Sequence, residues 1–336
     1  QDTGLTNGKA YYYVVSAVDA SNNESGYSQE AWARPTSGPT YVSGQISTDT
    51  TWTLAASPYI VTGDVTIASS AMLTTTTLTI EPGVEVRVAQ GVRIYVHGDA
   101  NWNSYGALNA QGTEELPIKF TSDTITPQPG DWKGIYFDNM TDDALTVLDY
   151  CIIEYGGAAG LANIYFDNAS GTVHNSVISH SGKEGITLVN NSAPTINNNT
   201  IADNAGYGVY SYSGLGPEIK NNTFRNNSSY AIGIFAYTTS NLGINTATGN
   251  GVDGIELLEG DSRPIGSNTT WPYTTLPYIV VRDVTIASST NYTTATLTIE
   301  PGVEVRFAQG VKIYIHGNSN WNSYGALNAQ GTEELP

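Results

Sequence analysis

The sequence predicts an all-β chain whose body is a parallel β-helix, and three observations carry that prediction. Apolar residues recur every 23 positions: Val173, Ile196, Ile219 and Leu242; Ile178, Ile201, Phe224 and Ala247; Ile186, Val209, Ile232 and Ile255. A short motif repeats in step with them, as Gly134-Ile135-Tyr136-Phe137, Asn163-Ile164-Tyr165-Phe166, Gly185-Ile186-Thr187-Leu188, Gly208-Val209-Tyr210-Ser211, Ala231-Ile232-Gly233-Ile234 and Gly254-Ile255-Glu256-Leu257. The composition, with 35 Gly, 13% charged residues and 22 Tyr against 6 Phe, suits short strands and tight turns.

Three apolar positions per 23 residues mean three short strands per coil, each stacking on its counterpart in the next coil. Within the motif the second and fourth residues point inward and the third outward, because strand side chains alternate. Successive coils then pair through parallel ladders about 4.8 Å apart. Asn204, Asn227 and Asn250 are expected to form one ladder at the turns, and Asn175, Asn198 and Asn221 another. Asparagine tolerates left-handed backbone, and its amide reaches the coils above and below.

A longer repeat overlies the coils. Residues 44–117 recur almost intact as residues 263–336, and Trp52 returns as Trp271, 219 positions later. Thr79-Ile80-Glu81-Pro82-Gly83-Val84-Glu85-Val86-Arg87 returns as Thr298-Ile299-Glu300-Pro301-Gly302-Val303-Glu304-Val305-Arg306. Tandem modules are expected: a β-helix over 43–261, from Ser43 to Asp261, and the N-terminal part of a second over 262–336. The Pro- and Ser-containing stretch from Pro35 to Pro39 points to a linker at 37–42.

Residues 1–36 follow another pattern. The run Gly4-Leu5-Thr6-Asn7-Gly8-Lys9-Ala10-Tyr11-Tyr12-Tyr13-Val14-Val15-Ser16-Ala17-Val18-Asp19 resembles the turn and penultimate strand of a fibronectin type III domain. The resemblance implies a corner tyrosine at Tyr11 bonding to upstream backbone, a hairpin turn at Ser21 to Ser25 and a last strand from Ser28 to Arg34. Two strands cannot bury a sandwich face alone, so the remaining strands are expected upstream of Gln1 or from another molecule.

A second resemblance covers 43–261. It rests on Leu78-Thr79-Ile80-Glu81-Pro82-Gly83-Val84, Leu108-Asn109-Ala110-Gln111-Gly112-Thr113, Ile118-Lys119-Phe120-Thr121-Ser122 and Gly130-Asp131-Trp132-Lys133-Gly134-Ile135. These motifs resemble right-handed parallel β-helix modules of large secreted surface proteins of bacteria and archaea, in the pectate-lyase-like superfold. The resemblance implies a right-handed solenoid and an extracellular or cell-surface location, and it is nearly silent on activity. Of the Asn-Thr-Asp, Asp-Asp, Gly-His-Gly and Arg-Ile-Lys signatures of pectin hydrolases with this fold, only Asp142-Asp143 finds a match. The Arg or Lys base of the lyases finds none, since Lys183, Lys220 and Arg225 do not share a 23-residue column.

The chain is read as a non-enzyme. His180, Asp203 and Asn226, each 23 residues apart, form the one acid/base candidate, where a carboxylate would orient an imidazole. Asp138 and Asp167 take the same outward place on consecutive coils; stacked carboxylates repel unless a cation or proton lies between them, which makes them a candidate Ca²⁺ site. Asp253, Glu256, Glu259 and Asp261 form a looser acidic group. Tyr136, Tyr165, Tyr210, Tyr212, Phe235 and Tyr237 are expected to face outward, for packing against another module or chain, for stacking on neutral sugars, or under cover of flanking segments. Cys151, the single cysteine, sits among apolar neighbours and reads as a buried small hydrophobe.

A net charge of −18 argues against nucleic acid and anionic membranes as partners. No apolar run approaches the ~20 residues that span a bilayer. Sequons such as Asn139-Met140-Thr141 and Asn168-Ala169-Ser170 are compatible with an outside location. The expected function is an extracellular structural or adhesive protein, a rod or filament of tandem modules whose partners are neighbouring modules or copies of the same protein. The alternative is a surface module that binds or degrades extracellular glycans.

Overall fold

The computed structural model describes residues 2–35, 38–258, 263–288, 290–317 and 322–334. The body is an all-β, right-handed parallel solenoid with three faces. Sheet A holds seven strands: Thr50–Trp52, Thr75–Ile80, Tyr105–Gln111, Val147–Asp149, Thr172–His174, Thr195–Asn197 and Glu218–Lys220. Sheet B runs through Glu85–Val88, Ile118–Ser122, Cys151–Glu154, Val177–Ser179, Thr200–Ala202, Thr223–Arg225 and Thr246–Thr248. Sheet C runs through Arg93–Val96, Gly134–Phe137, Ile164–Asp167, Ile186–Asn190, Val209–Ser213, Tyr230–Phe235 and Val252–Leu258. Two longer strands, Thr40–Ile46 and Tyr59–Ile67, cross faces B and C together at the entry. The first of these starts inside the stretch predicted to be linker.

The motif alternation sets the core. Ile135, Phe137, Ile164, Phe166, Ile186, Leu188, Val209, Ile232 and Ile234 are fully buried. Phe137 lies on Phe166 with ring centres 4.8 Å apart. Burial of each such side chain contributes about 1.5–3 kcal/mol. Ser211 stands alone among them as a polar inward residue, and its hydroxyl finds no protein partner.

Both corners flanking sheet B use one device: a left-handed residue, then an inward polar side chain that binds the neighbouring coils. At the B–C corner the left-handed residues are His180, Asp203, Asn226 and Gly249, with φ between 53° and 71°. The inward residues are Ser181, Asn204, Asn227 and Asn250. Asn204 donates to Asn227 Oδ1 at 2.8 Å, and Asn227 to Asn250 Oδ1 at 2.8 Å. This is the predicted ladder. At the A–B corner the prediction is off by one residue. Asn175, Asn198 and Asn221 are the left-handed residues, and the buried ladder is Ser176, Asn199, Asn222 and Asn245. Left-handed turns and interior amides both favour Asn, so a run of two or three asparagines does not say which residue turns inward.

The motif around Gly130 is a structural lock. Trp132 is fully buried and donates to the Glu154 carbonyl at 2.8 Å. Burial alone would raise the Asp131 carboxyl, but donation from the Gln128 N–H and the Ser122 and Thr124 hydroxyls outweighs it and holds the group below its ordinary value. Cys151 is buried as predicted, and burial pushes its thiol well up.

At the N-terminus Tyr11–Tyr13 pairs antiparallel with Ala31–Ala33. The Thr6 N–H donates to the Tyr11 hydroxyl at 2.8 Å, the bond expected of a corner tyrosine. Tyr12 and Trp32 are exposed.

The repeated segment stacks on the end of the first solenoid. Tyr278–Val280 pairs in parallel with Ile255–Leu257 on one side and with Val305–Phe307 on the other. Glu259, Asp261 and the predicted boundary at 261/262 lie outside the described residues.

Candidate functional site

The outward side chains of sheet C form two columns. The backbone register places Tyr95, Tyr136, Tyr165, Thr187, Tyr210, Gly233 and Glu256 in the first. The second, two residues on, contains His97, Asp138, Asp167, Val189, Tyr212, Phe235 and Leu258. The face therefore changes from polar to apolar along the axis, and its two halves differ in chemistry.

In the polar half, Tyr136 stacks on Tyr165 with centres 5.0 Å apart and meets Tyr95 edge-on at 5.2 Å. The Arg93 guanidinium lies over Tyr95 at 4.4 Å. Asp138 Oδ2 accepts the Tyr95 hydroxyl at 2.5 Å and lies 2.5 Å from His97 Nδ1, while Oδ1 accepts the Met140 N–H. Asp167 accepts the Tyr136 hydroxyl at 2.7 Å and the Asn190 amide. Burial, and then the adjacent carboxylate, push the Tyr95 and Tyr136 hydroxyls well above their ordinary value. The two carboxylates are thus not a bare repelling pair. Each accepts a hydrogen bond from a tyrosine of the preceding coil. Among the described residues no three His, Cys, Asp or Glu side chains cluster to hold a metal. Beside them lies a groove of about 530 Å³ lined by Tyr95, Tyr136, Asp138, Asn139, Asp167, Asn168, Asn190 and Asn191.

The apolar half is partly covered. Phe235, predicted to face out, is fully buried. Its ring stacks on Tyr237 at 5.3 Å and touches Tyr212 at 4.7 Å, and the Arg263 guanidinium lies over Phe235 at 4.8 Å and Tyr212 at 5.2 Å. Arg263 also donates to the Tyr237 hydroxyl at 3.3 Å. Tyr210 packs on Tyr207, whose hydroxyl is bonded to the buried Glu256. Of the expected platform of Tyr210, Tyr212, Phe235 and Tyr237, Phe235 is buried and the other three are half-buried, with Arg263 from the start of the second copy lying over Tyr212 and Phe235.

His180 and Asp203 are not joined by a hydrogen bond among the described residues. Asp203 accepts the Asn226 amide at 3.0 Å, and the His180 ring lies against Tyr155. Asp142 accepts the Thr75 hydroxyl and Asp143 the Ser170 N–H, which ties the Asp-Asp pair into its loop.

The joint between the copies is built from further contacts. Trp271 is fully buried and donates to the Ala236 carbonyl; Thr239 and Ser240 bond the backbone of Thr270, and Thr275 bonds the Asn245 carbonyl. Arg93, Tyr95, His97 and Arg263 escaped the sequence reading. Ile94-Tyr95-Val96 carries the motif, but 41 residues separate Val96 from its partner Phe137, which breaks the 23-residue period there.

No helix among the described residues is long and apolar enough to cross a membrane. No curated protein and no solved structure matches the chain. Residues 108–271 match the family model for the right handed beta helix region, a span that begins in sheet A of the first copy and ends at the joint tryptophan.

Proposed function

We propose that the chain belongs to an extracellular structural or adhesive protein, a rod or filament in which β-helix modules stack end to end. The observation that carries this reading is the ladder between Ile255–Leu257 and Tyr278–Val280, which runs one solenoid into the next copy of the repeat. A solenoid end exposes unpaired strand edges, and a following module that covers them extends the rod without a separate cap. The acidic surface suits a soluble, extended assembly. Negative-stain electron microscopy of native material tests the reading, combined with antibody labelling of intact cells. Rods labelled from outside are expected. Discrete compact particles, or labelling only after lysis, overturn it.

The open groove on the polar half of sheet C favours a second reading, a binding site for a neutral glycan. Its carboxylates and amides suit sugar hydroxyls, and Asp138 and Asp167 disfavour acidic sugars. Binding without cleavage is the form proposed, because Asp203 is engaged by Asn226 rather than oriented toward His180. Glycan-array binding is expected to fall in Asn190→Ala and Tyr136→Ala; unchanged binding in both folded variants removes the site.

A further inference from the structure

We infer that the last strand of one module serves as the first strand of the next, so that each module starts one face further round the solenoid. The inference rests on the end-to-end reading above and adds its geometry.

Two equivalent positions carry it. In the first copy Tyr59 belongs to sheet B: it pairs with Val86, which leads coil by coil through Phe120, Ile153, Ile178, Ile201 and Phe224 to Ala247. Its counterpart Tyr278 keeps the equivalent downstream partner, Val305. Upstream, however, Tyr278 does not continue that column. It pairs with Ile255, in sheet C. Sheet B of the second module is laid on sheet C of the first.

The entry strand explains why. In the first copy the outer edge of Tyr59–Ile67 is covered by Thr40–Ile46, with Thr40 on Tyr59 and Ile46 on Ile67. In the second copy the same two places are taken by Ile255 on Tyr278 and Ile265 on Ile286. Ile255–Leu257 therefore does two things: it closes the last coil against Ile232–Ile234 and opens the next module. The 23-residue period is kept across the joint, since Ile234, Leu257 and Val280 are evenly spaced in one column. Placing Tyr278 on Ala247 would need 31 residues for one turn. The shared strand is also the better cover. Ile255 and Leu257 are buried, whereas Thr40 and Val42, which take their places in the first copy, are only half-buried.

A three-faced solenoid turned by one face at every identical joint returns to its starting orientation after three modules. Outward features that recur in each copy, such as Tyr95 with His97 and Tyr314 with His316, then point to successive sides of the rod. A partner approaching from one side meets an equivalent surface once in three modules.

Thiol cross-linking of the full chain tests this with a short bifunctional reagent. Glu256→Cys with Ile279→Cys reports the turned joint, and Thr248→Cys with Ile279→Cys reports a straight one. Leu258→Cys with Val281→Cys, one step beyond the Leu257–Val280 pair, repeats the first test without disturbing the Tyr207–Glu256 bond. Cys151 is buried and stays silent. Loss of both free thiols in the two turned pairs, with the straight pair left reactive, is expected. Cross-linking of the straight pair alone overturns the turn and leaves end-to-end stacking intact. Failure of all three pairs in folded protein overturns both.

Discussion

Trp271 donates its indole N–H to the Ala236 carbonyl at 2.9 Å, across the joint between the two copies of the repeat. Its counterpart Trp52 stacks on Tyr59, as Trp271 stacks on Tyr278, but makes no such indole hydrogen bond among the described residues. Trp271→Phe is expected to cost about 1–3 kcal/mol, because it leaves the Ala236 carbonyl buried without a donor. Trp271→Ala adds a cavity and costs about 3–5 kcal/mol. Hydrogen exchange should show the loss locally, as faster exchange in Tyr278–Val280 with Val209–Ser213 unchanged. Equal acceleration in both strands would mean that the joint does not act as a separate contact.

Asn222 and Asn221 are sequence neighbours with opposite roles. Asn222 accepts from the backbone N–H and side chain of Asn199 and donates to Asn245 Oδ1 and the Ile196 carbonyl. Asn222→Ala strands several buried groups and is expected to cost about 3 kcal/mol or more. Asn221 is exposed and left-handed, with φ 57°. Asn221→Gly keeps that backbone at no steric cost and is expected within about 0.5 kcal/mol of the parent. Denaturant unfolding of the two variants checks the assignment, and similar losses in both would contradict it.

That pair also shows how far the sequence could be read. Periodicity is a property of the inward residues, so the columns through Ile178 and Val173 were legible, as was the motif alternation on sheet C. Asn221 and Asn222 differ only in which way they turn, and composition does not encode that. The outward face was legible as a column and not as an environment. By strand alternation Tyr136 and Phe235 both take outward places, in the first and second columns. Tyr136 is half-buried, while Phe235 is buried against Tyr212, Tyr237 and Arg263, the last 28 residues beyond it and outside any coil period. Asp138 and Asp167 looked like bare carboxylates for the same reason. Their donors Tyr95 and Tyr136 belong to coils of irregular length, so the register between them follows from the ladder and not from spacing.

The Tyr95, Tyr136 and Tyr207 hydroxyls bond the carboxylates of Asp138, Asp167 and Glu256, and burial and charge hold all three above their ordinary value near 10. The folded chain keeps these protons when the unfolded chain has released them. Stability from these groups is therefore complete below pH about 10 and falls as pH rises beyond it. Ultraviolet absorbance of tyrosinate should show a group of late-titrating tyrosines that ionise together with unfolding. Tyr136→Phe is expected to reduce the alkaline slope. Ionisation of every tyrosine near pH 10 in still-folded protein would exclude these bonds.

Cys151 offers a probe of the solenoid without mutation. It lies in sheet B beneath Ser176, whose hydroxyl accepts the Cys151 N–H at 2.9 Å, and it is 1% exposed with its thiol pushed up by burial. A thiolate is the reactive form, so both access and ionisation oppose labelling in the folded state. A maleimide reagent is expected to react only through opening of the coils around it. The labelling rate should then rise with denaturant in step with unfolding, and Asn199→Ala, which removes the acceptor of the Ser176 N–H one coil away, should accelerate it. Since each coil rests only on its neighbours, Trp271→Ala at the distant joint should leave the rate unchanged. A rate that responds equally to both substitutions would show that the two copies open as one cooperative unit.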